Sequence, residues 1–453
     1  MRHPHRCCSL PRETHARSHH IHPKVGPPPG PQGTKFVSRG SAVATVHIAI
    51  PVQDELEYLP ACLDALRRQE GVRFVTWLCV NQPEAWQNEP DRRPVCEANQ
   101  ACLHLLAAVT DLDLRIIDRS SPGRGWPPKR SGVGHARKEL MDAICAEAGP
   151  RDIIVSLDAD TLTPPGYLRS LIDSFKRHPA ACAIAARYYH PLTDDGAVTR
   201  AMLGYEIYLR FYALNLWRIG SPYSFTALGS AIALPVSVYR RVGGLTPRTS
   251  GEDFYFLQKL TKHGRVLHWT AAPVAPATRK SWRVPVGTGQ AIVAACEGEY
   301  SDRYPLYAPE LFDRISRTTE AFPELFAGPV ETPLDEFLRD KMSTDAPWQP
   351  LRDNHTTLDR FVRACHERLD GLRILQYLKA EYREAPTDDR ATLIDWLDRY
   401  GCQFPGTETE ASRVRALLDE RVLADLSISE LDAIRRVLFQ MEDRYRREDD
   451  LEG

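Results

Sequence analysis

The sequence predicts an α/β fold over residues 42–300, a mostly parallel mixed sheet flanked by helices, and an all-helical C-terminal domain over residues 301–453. Three observations carry this expectation. Unbroken apolar runs such as Ile153, Ile154, Val155 and Leu157 lack polar alternation and suit strands covered on both faces. These runs alternate with segments whose apolar residues recur at helical spacing, the pattern of a sheet built from strand-helix-strand units. Beyond about residue 300 the strand-like runs stop and only helical spacing is left.

Along the chain, residues 1–41 are rich in Pro, Gly, His and Arg, hold almost no apolar cluster, and are expected to be disordered. Val43 to Ile50 opens the ordered part as a strand, followed by a turn at Pro51–Asp54 and a segment in which Leu56, Leu59, Cys62, Leu63 and Leu66 repeat at helical spacing. The runs at 73–80 and 112–118 read as the second and third strands, ending at Asn81 and Asp118. A helix with Ala136, Leu140, Met141 and Ile144 leads into the fourth strand, 153–157. Pro164 and Pro165 can open the next helix, through Leu168, Leu171, Ile172 and Phe175. Strands are then expected at 182–187, 229–234 and 265–269, with a buried amphipathic helix over 201–217. Ser429 with Asp432 three residues on is the expected cap of the last helix.

Composition excludes several classes. The chain has 58 Lys and Arg against 60 Asp and Glu, so no global field draws nucleic acid or an anionic membrane, and phosphate binding must be local. Eleven scattered cysteines, several inside apolar periodic segments, read as buried thiols of a reducing, cytoplasmic compartment and not as a disulfide framework or zinc site. No run of roughly 18 uncharged apolar residues would span a bilayer. Peripheral membrane contact is left open, and the helical domain could serve dimerisation or acceptor docking.

Asp158 and Asp160 leave the fourth strand one residue apart. Ligands of parallel sheets bind beyond the carboxyl ends of the strands, and two aspartates there can hold a hard divalent cation that in turn holds phosphate. A strand followed by an acidic turn explains nine residues equally well. The segments that accompany them in order decide: VHIAIPVQDELEYLPACLDAL, GVGHARKELMDAI, the strand ending in DAD, FTALGSAIALPVSVYRRVGGL and GEDFYFLQKLTKHGRV. Together, over residues 43–295, they resemble glycosyltransferase family 2 and its GT-A relatives.

The resemblance implies a GT-A fold with a nucleotide-diphosphate sugar lying across the carboxyl edge of the sheet. Asp160 would coordinate Mn2+ or Mg2+ bridging the donor diphosphate, and Asp158 would contact the ribose or the metal shell. Pro51, Val52 and Glu55 would line the base and ribose, although Asp54 stands where many members have Asn. Asn81 occupies the place of a base-recognising polar residue. Arg137 and Lys138 match a basic pair that faces the base or the diphosphate. In GED, Asp253 would be the general base on the acceptor hydroxyl of an inverting transfer, with Glu252 holding the acceptor or orienting the base. Arg279, Lys280 and Arg283 could close over the donor. His268 is the only nearby candidate for a late metal-ligating histidine, in a run where a core histidine is the plainer reading. Tyr223, Phe225 and Trp217 suit an acceptor wall.

Three other readings stay open: a retaining GT-A transferase acting on a small acid, a non-catalytic binding protein of GT-A type, and a nucleotidyltransferase using the same sheet edge and metal. GVGHAR lacks the third glycine and the preceding strand of a dinucleotide fingerprint, which argues against a nicotinamide or flavin enzyme. Nothing in the sequence names the base, the sugar or the acceptor.

Overall fold

The computed structural model describes residues 44–248, 250–281, 283, 287–298, 304–404 and 406–452; the expectation of disorder over 1–41 lies outside them. Among the described residues nine strands are formed: β1 Val46–Val52, β2 Phe74–Asn81, β3 Leu114–Arg119, β4 Ile153–Ser156, β5 Thr161–Leu162, β6 Ala183–Ala185, β7 Ile232–Pro235, β8 Val266–Leu267 and β9 Ala275–Pro276. Seven make one sheet in the order β3-β2-β1-β4-β7-β6-β8, and β5 pairs with β9 in a small second sheet. The half built from β3, β2, β1 and β4 is parallel, whereas β7 runs antiparallel to both β4 and β6. The expected fold class, a mostly parallel mixed sheet flanked by helices with a helical C-terminal region, is the one observed.

The apolar runs of β1, β2 and β4 lack polar alternation because each of these strands feeds two cores. Along β1, Ile48 and Ile50 join one buried cluster with the helices Leu59–Arg67 and Tyr167–Arg177, while Ala49 between them joins the other. Successive side chains of a strand point to opposite faces, so a sheet sandwiched between helices needs apolar residues at every position. The second cluster gathers the helices Val133–Glu147 and Gly196–Arg218 and continues without a break into Phe361, Trp396 and Leu438 of the C-terminal region. Each fully buried Leu or Phe in it contributes about 1.5–3 kcal/mol. The central helix Gly196–Arg218 is the hub. Asp195 caps it by accepting from the backbone N–H groups of Ala197 and Val198, and the terminal helix Ile428–Glu452 packs along it.

Two local expectations are corrected. The strand expected over 265–269 pairs only through Val266 and Leu267, because the N–H groups of His268 and Trp269 both donate to Asp450 Oδ2 at 2.7 Å instead of a ladder partner. The terminal helix is capped two residues earlier than expected. Ser427 and Glu430 form a reciprocal capping box, with Ser427 N–H donating to Glu430 Oε2 at 2.7 Å and Glu430 N–H to Ser427 Oγ at 3.3 Å. Asp432 pairs with Arg435 and Arg436 instead.

Candidate active site

Register brings the ends of β1, β2 and β4 to one edge, pairing Val52 with Val80 and Ala49 with Ser156. The chain leaves each strand there into a turn, and these turns border a cavity of about 630 Å3. From β1 come Pro51, Gln53 and Glu55; from β2, Asn81; from the exit of β4, Asp158 and Asp160. Glu252 and Asp253, in the first turn of the helix Glu252–His263, and Arg279 and Arg283 line the cavity as well. Gly251, at φ 68°, precedes that helix in the left-handed conformation that glycine adopts without penalty, which turns the two acids toward the cavity.

Arg137 is the organising cation. Buried at 4% exposure, it donates to Ser156 Oγ, to the Gly229 carbonyl and to Asp158 Oδ1, and its Nε lies 3.0 Å from Glu252 Oε1. A Cβ on Gly229 would fall within 2.5 Å of the Arg137 guanidinium carbon, so only glycine allows this approach. A second cluster lies beside it. Arg279 bridges Asp160 and Glu55, Nε to Asp160 Oδ2 at 2.9 Å and Nη2 to both Glu55 oxygens at 2.7 Å, and stacks over the Tyr58 ring at 4.1 Å. Arg283 also pairs with Glu55 and donates to the Gln53 carbonyl at 2.9 Å.

Crowding of carboxylates in a closed space raises their pKa values. Burial, then the nearby Asp160, pushes Glu55 up to about 7 against the pull of Arg283 and Arg279. Burial, then the adjacent Asp253, pushes Glu252 up to about 7 against Arg137. Asp158 and Asp253 are likewise raised, by burial first, with Arg137 opposing in both. Glu252 is held by Arg137, whereas Asp253 forms no salt bridge among the described residues and accepts only the N–H of Phe254 at 2.8 Å.

The structure thus brings together Pro51, Glu55, Asn81, Arg137, Asp158, Asp160, Glu252, Asp253, Arg279 and Arg283. It leaves five expected residues outside the wall: Val52, Lys138, Trp217, His268 and Lys280. Val52 is buried in β1 and offers its carbonyl to Asn81 Nδ2 at 3.0 Å. Lys138 points out of the same helix that buries Arg137 and pairs with Asp142 one turn on, at 2.7 Å. His268 is half-buried beside Arg446 and Arg265; burial of its ring and then those cations push its pKa well down, and it is no part of the cavity. Tyr223 and Phe225 do line the cavity, but Trp217 is stacked on Tyr445 at 3.7 Å between ring centres.

Sequence reasoning missed three contributors. Tyr205, Tyr208 and Tyr212 line the cavity from the central helix; their spacing of three and four was legible, but a buried stripe gives the same pattern. Gly371, Leu375 and Lys379 form one face of the helix Gly371–Glu384 and reach the cavity from a region without a recognisable motif. His190 also faces it, a placement no spacing reveals.

Among the described residues no group of three His, Cys, Asp or Glu side chains could hold a metal ion by itself. Asp158 and Asp160 nevertheless fit a hard cation that completes its shell with substrate phosphate and water, the way Mg2+ is commonly held by one or two carboxylates.

Residues 153–292 match the family model described as Glycosyl transferase family group 2, which bears out the resemblance read from the motifs. No curated protein matches the chain. Among solved structures, the chain is similar to S. aureus TarS 1–349 in complex with UDP-GlcNAc, at 12% identity, covering 76% of this chain and 92% of that one, with a TM-score of 0.37. It is also similar to glucosyl-3-phosphoglycerate synthase from Mycobacterium tuberculosis with Mn2+, UDP-glucose and phosphoglyceric acid, at 14% identity, 57% and 80% coverage and a TM-score of 0.33.

Proposed function

We infer that this chain, whose residues 153–292 carry the glycosyltransferase family 2 pattern, moves a sugar from a nucleotide-diphosphate donor to an acceptor hydroxyl with inversion. The observation that supports this most is convergence. Segments separated by up to 230 residues in sequence, from Gln53 to Arg283, meet at one sheet edge and place five carboxylates and three guanidinium groups around one cavity.

Each residue has a distinct part in this reading. Asn81 Oδ1 is buried without a hydrogen-bond partner among the described residues, beside the turn of β1, and would accept an N–H of the nucleobase. Asp158 and Asp160 would hold Mn2+ or Mg2+, which when bound neutralises charge on the leaving diphosphate. Releasing Asp160 frees Nε of Arg279 while Nη2 stays with Glu55, and this guanidinium, with that of Arg283, can then face phosphate oxygens as the nucleoside diphosphate departs. Asp253 takes the acceptor proton on a carboxylate oxygen, since Arg137 occupies Glu252 and leaves Asp253 without a salt bridge among the described residues. Glu252 and Ser156 orient Arg137, which orients Asp158.

The aromatic side of the cavity, with Tyr205, Tyr223 and Phe225, offers flat apolar faces to an acceptor ring. No described helix is long and apolar enough to cross a membrane, and the buried free thiols of Cys62, Cys79 and Cys102 suit the cytoplasm. A homodimer through the helical region and peripheral membrane contact remain part of this proposal only as surfaces to probe.

Release of nucleoside diphosphate from a panel of UDP-, GDP-, ADP- and CDP-sugars tests the reading. One donor should be consumed in a Mn2+- or Mg2+-dependent way, and Asp160→Asn should remove the dependence while keeping the fold. Wild-type rates in that variant would overturn the donor-site assignment.

A further inference from the structure

We propose that His190 is a specificity-determining residue of this cavity, presenting its ring Nε2 to a hydroxyl of a sugar ring. The proposal rests on the glycosyl-transfer reading and adds to it the group that recognises the sugar.

His190 follows β6 by five residues, has 0% exposure and lines the cavity beside Tyr205, Tyr208 and Leu209 of the central helix. Its two ring nitrogens differ. Nδ1 lies 2.9 Å from Glu206 Oε2, while Nε2 is buried with no hydrogen-bond partner among the described residues. Buried polar atoms are nearly always paired, so an orphaned ring nitrogen on a cavity wall calls for a ligand atom.

Glu206 fixes which proton the ring carries. Burial alone would raise its pKa, but Arg210, then His190 and Arg435, overcome this and hold it down at about 2. An ionised carboxylate only accepts, so Nδ1 donates to it and Nε2 is left for a ligand atom. A hydroxyl both donates and accepts, so it pairs with Nε2 whether or not that nitrogen carries a proton, and a sugar ring also tolerates the close aromatic wall. The negative charge of a phosphate would meet that of Glu206 behind the ring.

The ring is also immobilised, as discrimination requires. Tyr188 packs edge-on at 5.5 Å, and Arg435 of the terminal helix donates to the His190 carbonyl at 2.7 Å. The same Arg435 lies 3.4 Å from Glu206 Oε2. The C-terminal region therefore positions the residue that would read the sugar.

The hydroxyl could belong to the donor sugar or to a sugar acceptor, and two arms separate these. The first measures binding of UDP-, GDP-, ADP- and CDP-glucose and of the four bare nucleoside diphosphates, with Mn2+, to wild type, His190→Ala and His190→Gln. The second measures methyl glucoside binding in the presence of nucleoside diphosphate by ligand-observed NMR. Weakening of about tenfold or more for a nucleotide-sugar, with its nucleoside diphosphate unchanged, supports a donor hydroxyl; the same loss confined to methyl glucoside supports an acceptor hydroxyl. In wild type the 15N signal of His190 Nε2 should move with the sugar-bearing ligand and not with nucleoside diphosphate, which a merely structural histidine would not show. If folded His190→Gln binds every probe as wild type does, and the 15N signal stays still, the proposal is wrong while the function reading stands. If wild type binds no nucleotide of either kind, the function reading falls and takes the proposal with it.

Discussion

Two buried charge clusters lie in this molecule, and they titrate in opposite directions. Around the cavity, Glu55, Asp158, Asp160, Glu252 and Asp253 face Arg137, Arg279 and Arg283, and Glu55 and Glu252 are pushed up to about 7. Between the central and terminal helices, Glu206, Glu442 and Asp432 face Arg210, Arg435 and Arg446, and Glu206 is held at about 2. Burial is severe in both. What differs is the balance of counter-charge: the interhelical cluster is matched group for group, and the cavity is short of positive charge. A matched cluster holds helices in place, whereas an unmatched one is ready for a cation and for proton transfer.

The pH consequences have opposite signs. Glu206 contributes stability that is present above its unfolded value near 4.5 and is lost as pH falls toward about 2. Glu55 and Glu252 keep protons in the folded chain between their ordinary 4.5 and about 7, so their contribution to stability falls as pH rises through that window.

The comparison breaks most sharply under substitution. Asp253→Asn should lower kcat by about 10²–10⁴, the usual worth of a general base, and leave the melting temperature unchanged or raised because one excess buried carboxylate is gone. Arg210→Met should do the reverse. It leaves Glu206 buried without its main cation, removes one of the two cations on Glu442, and should cost about 3–5 kcal/mol in urea unfolding. If Asp253→Asn destabilised the chain as much as Arg210→Met, the two clusters would not differ in kind.

Gly229→Ala sharpens the view of the cavity. The added Cβ must displace Arg137, and overpacking of this type costs about 1–3 kcal/mol, with activity lost beyond what unfolding explains. The smallest expected effect is a proton count. Because Glu55 and Glu252 sit near 7, binding of Mn2+ with donor at pH 7 should release on the order of one proton, and apparent cation affinity should rise as pH rises through 7. Calorimetry in buffers of different ionisation enthalpy reads this directly; zero release would place those carboxylates in their ordinary range.

The half of the molecule that the sequence made legible is the parallel half. Strands such as Ile153–Ser156 announce themselves by unbroken apolar runs, and their ends predict where Asp158, Asn81 and Glu55 must gather. The other wall was hidden for a physical reason. Tyr205, Tyr208 and Tyr212 lie on a helix buried nearly all round, so periodicity cannot tell a core face from a cavity face. Lys379 and Gly371 reach the cavity only because the C-terminal helices share a core with the sheet, a long-range fact absent from local pattern. His268 misled for the converse reason: its run looked like a full strand near the site, but Asp450, 182 residues away, takes its N–H and closes the run early.

The most direct test of the account is the melting temperature of the wild-type chain and of Asp160→Asn with UDP-, GDP-, ADP- and CDP-sugars, each with and without Mn2+. A ligand at a hundred times its Kd adds about 2.7 kcal/mol to the folded state, well within reach of this measurement. The account predicts that one nucleotide-sugar raises the melting temperature of wild type only when Mn2+ is present, and that Asp160→Asn abolishes the shift. Failure of every nucleotide-sugar to stabilise wild type, with or without Mn2+, would contradict it.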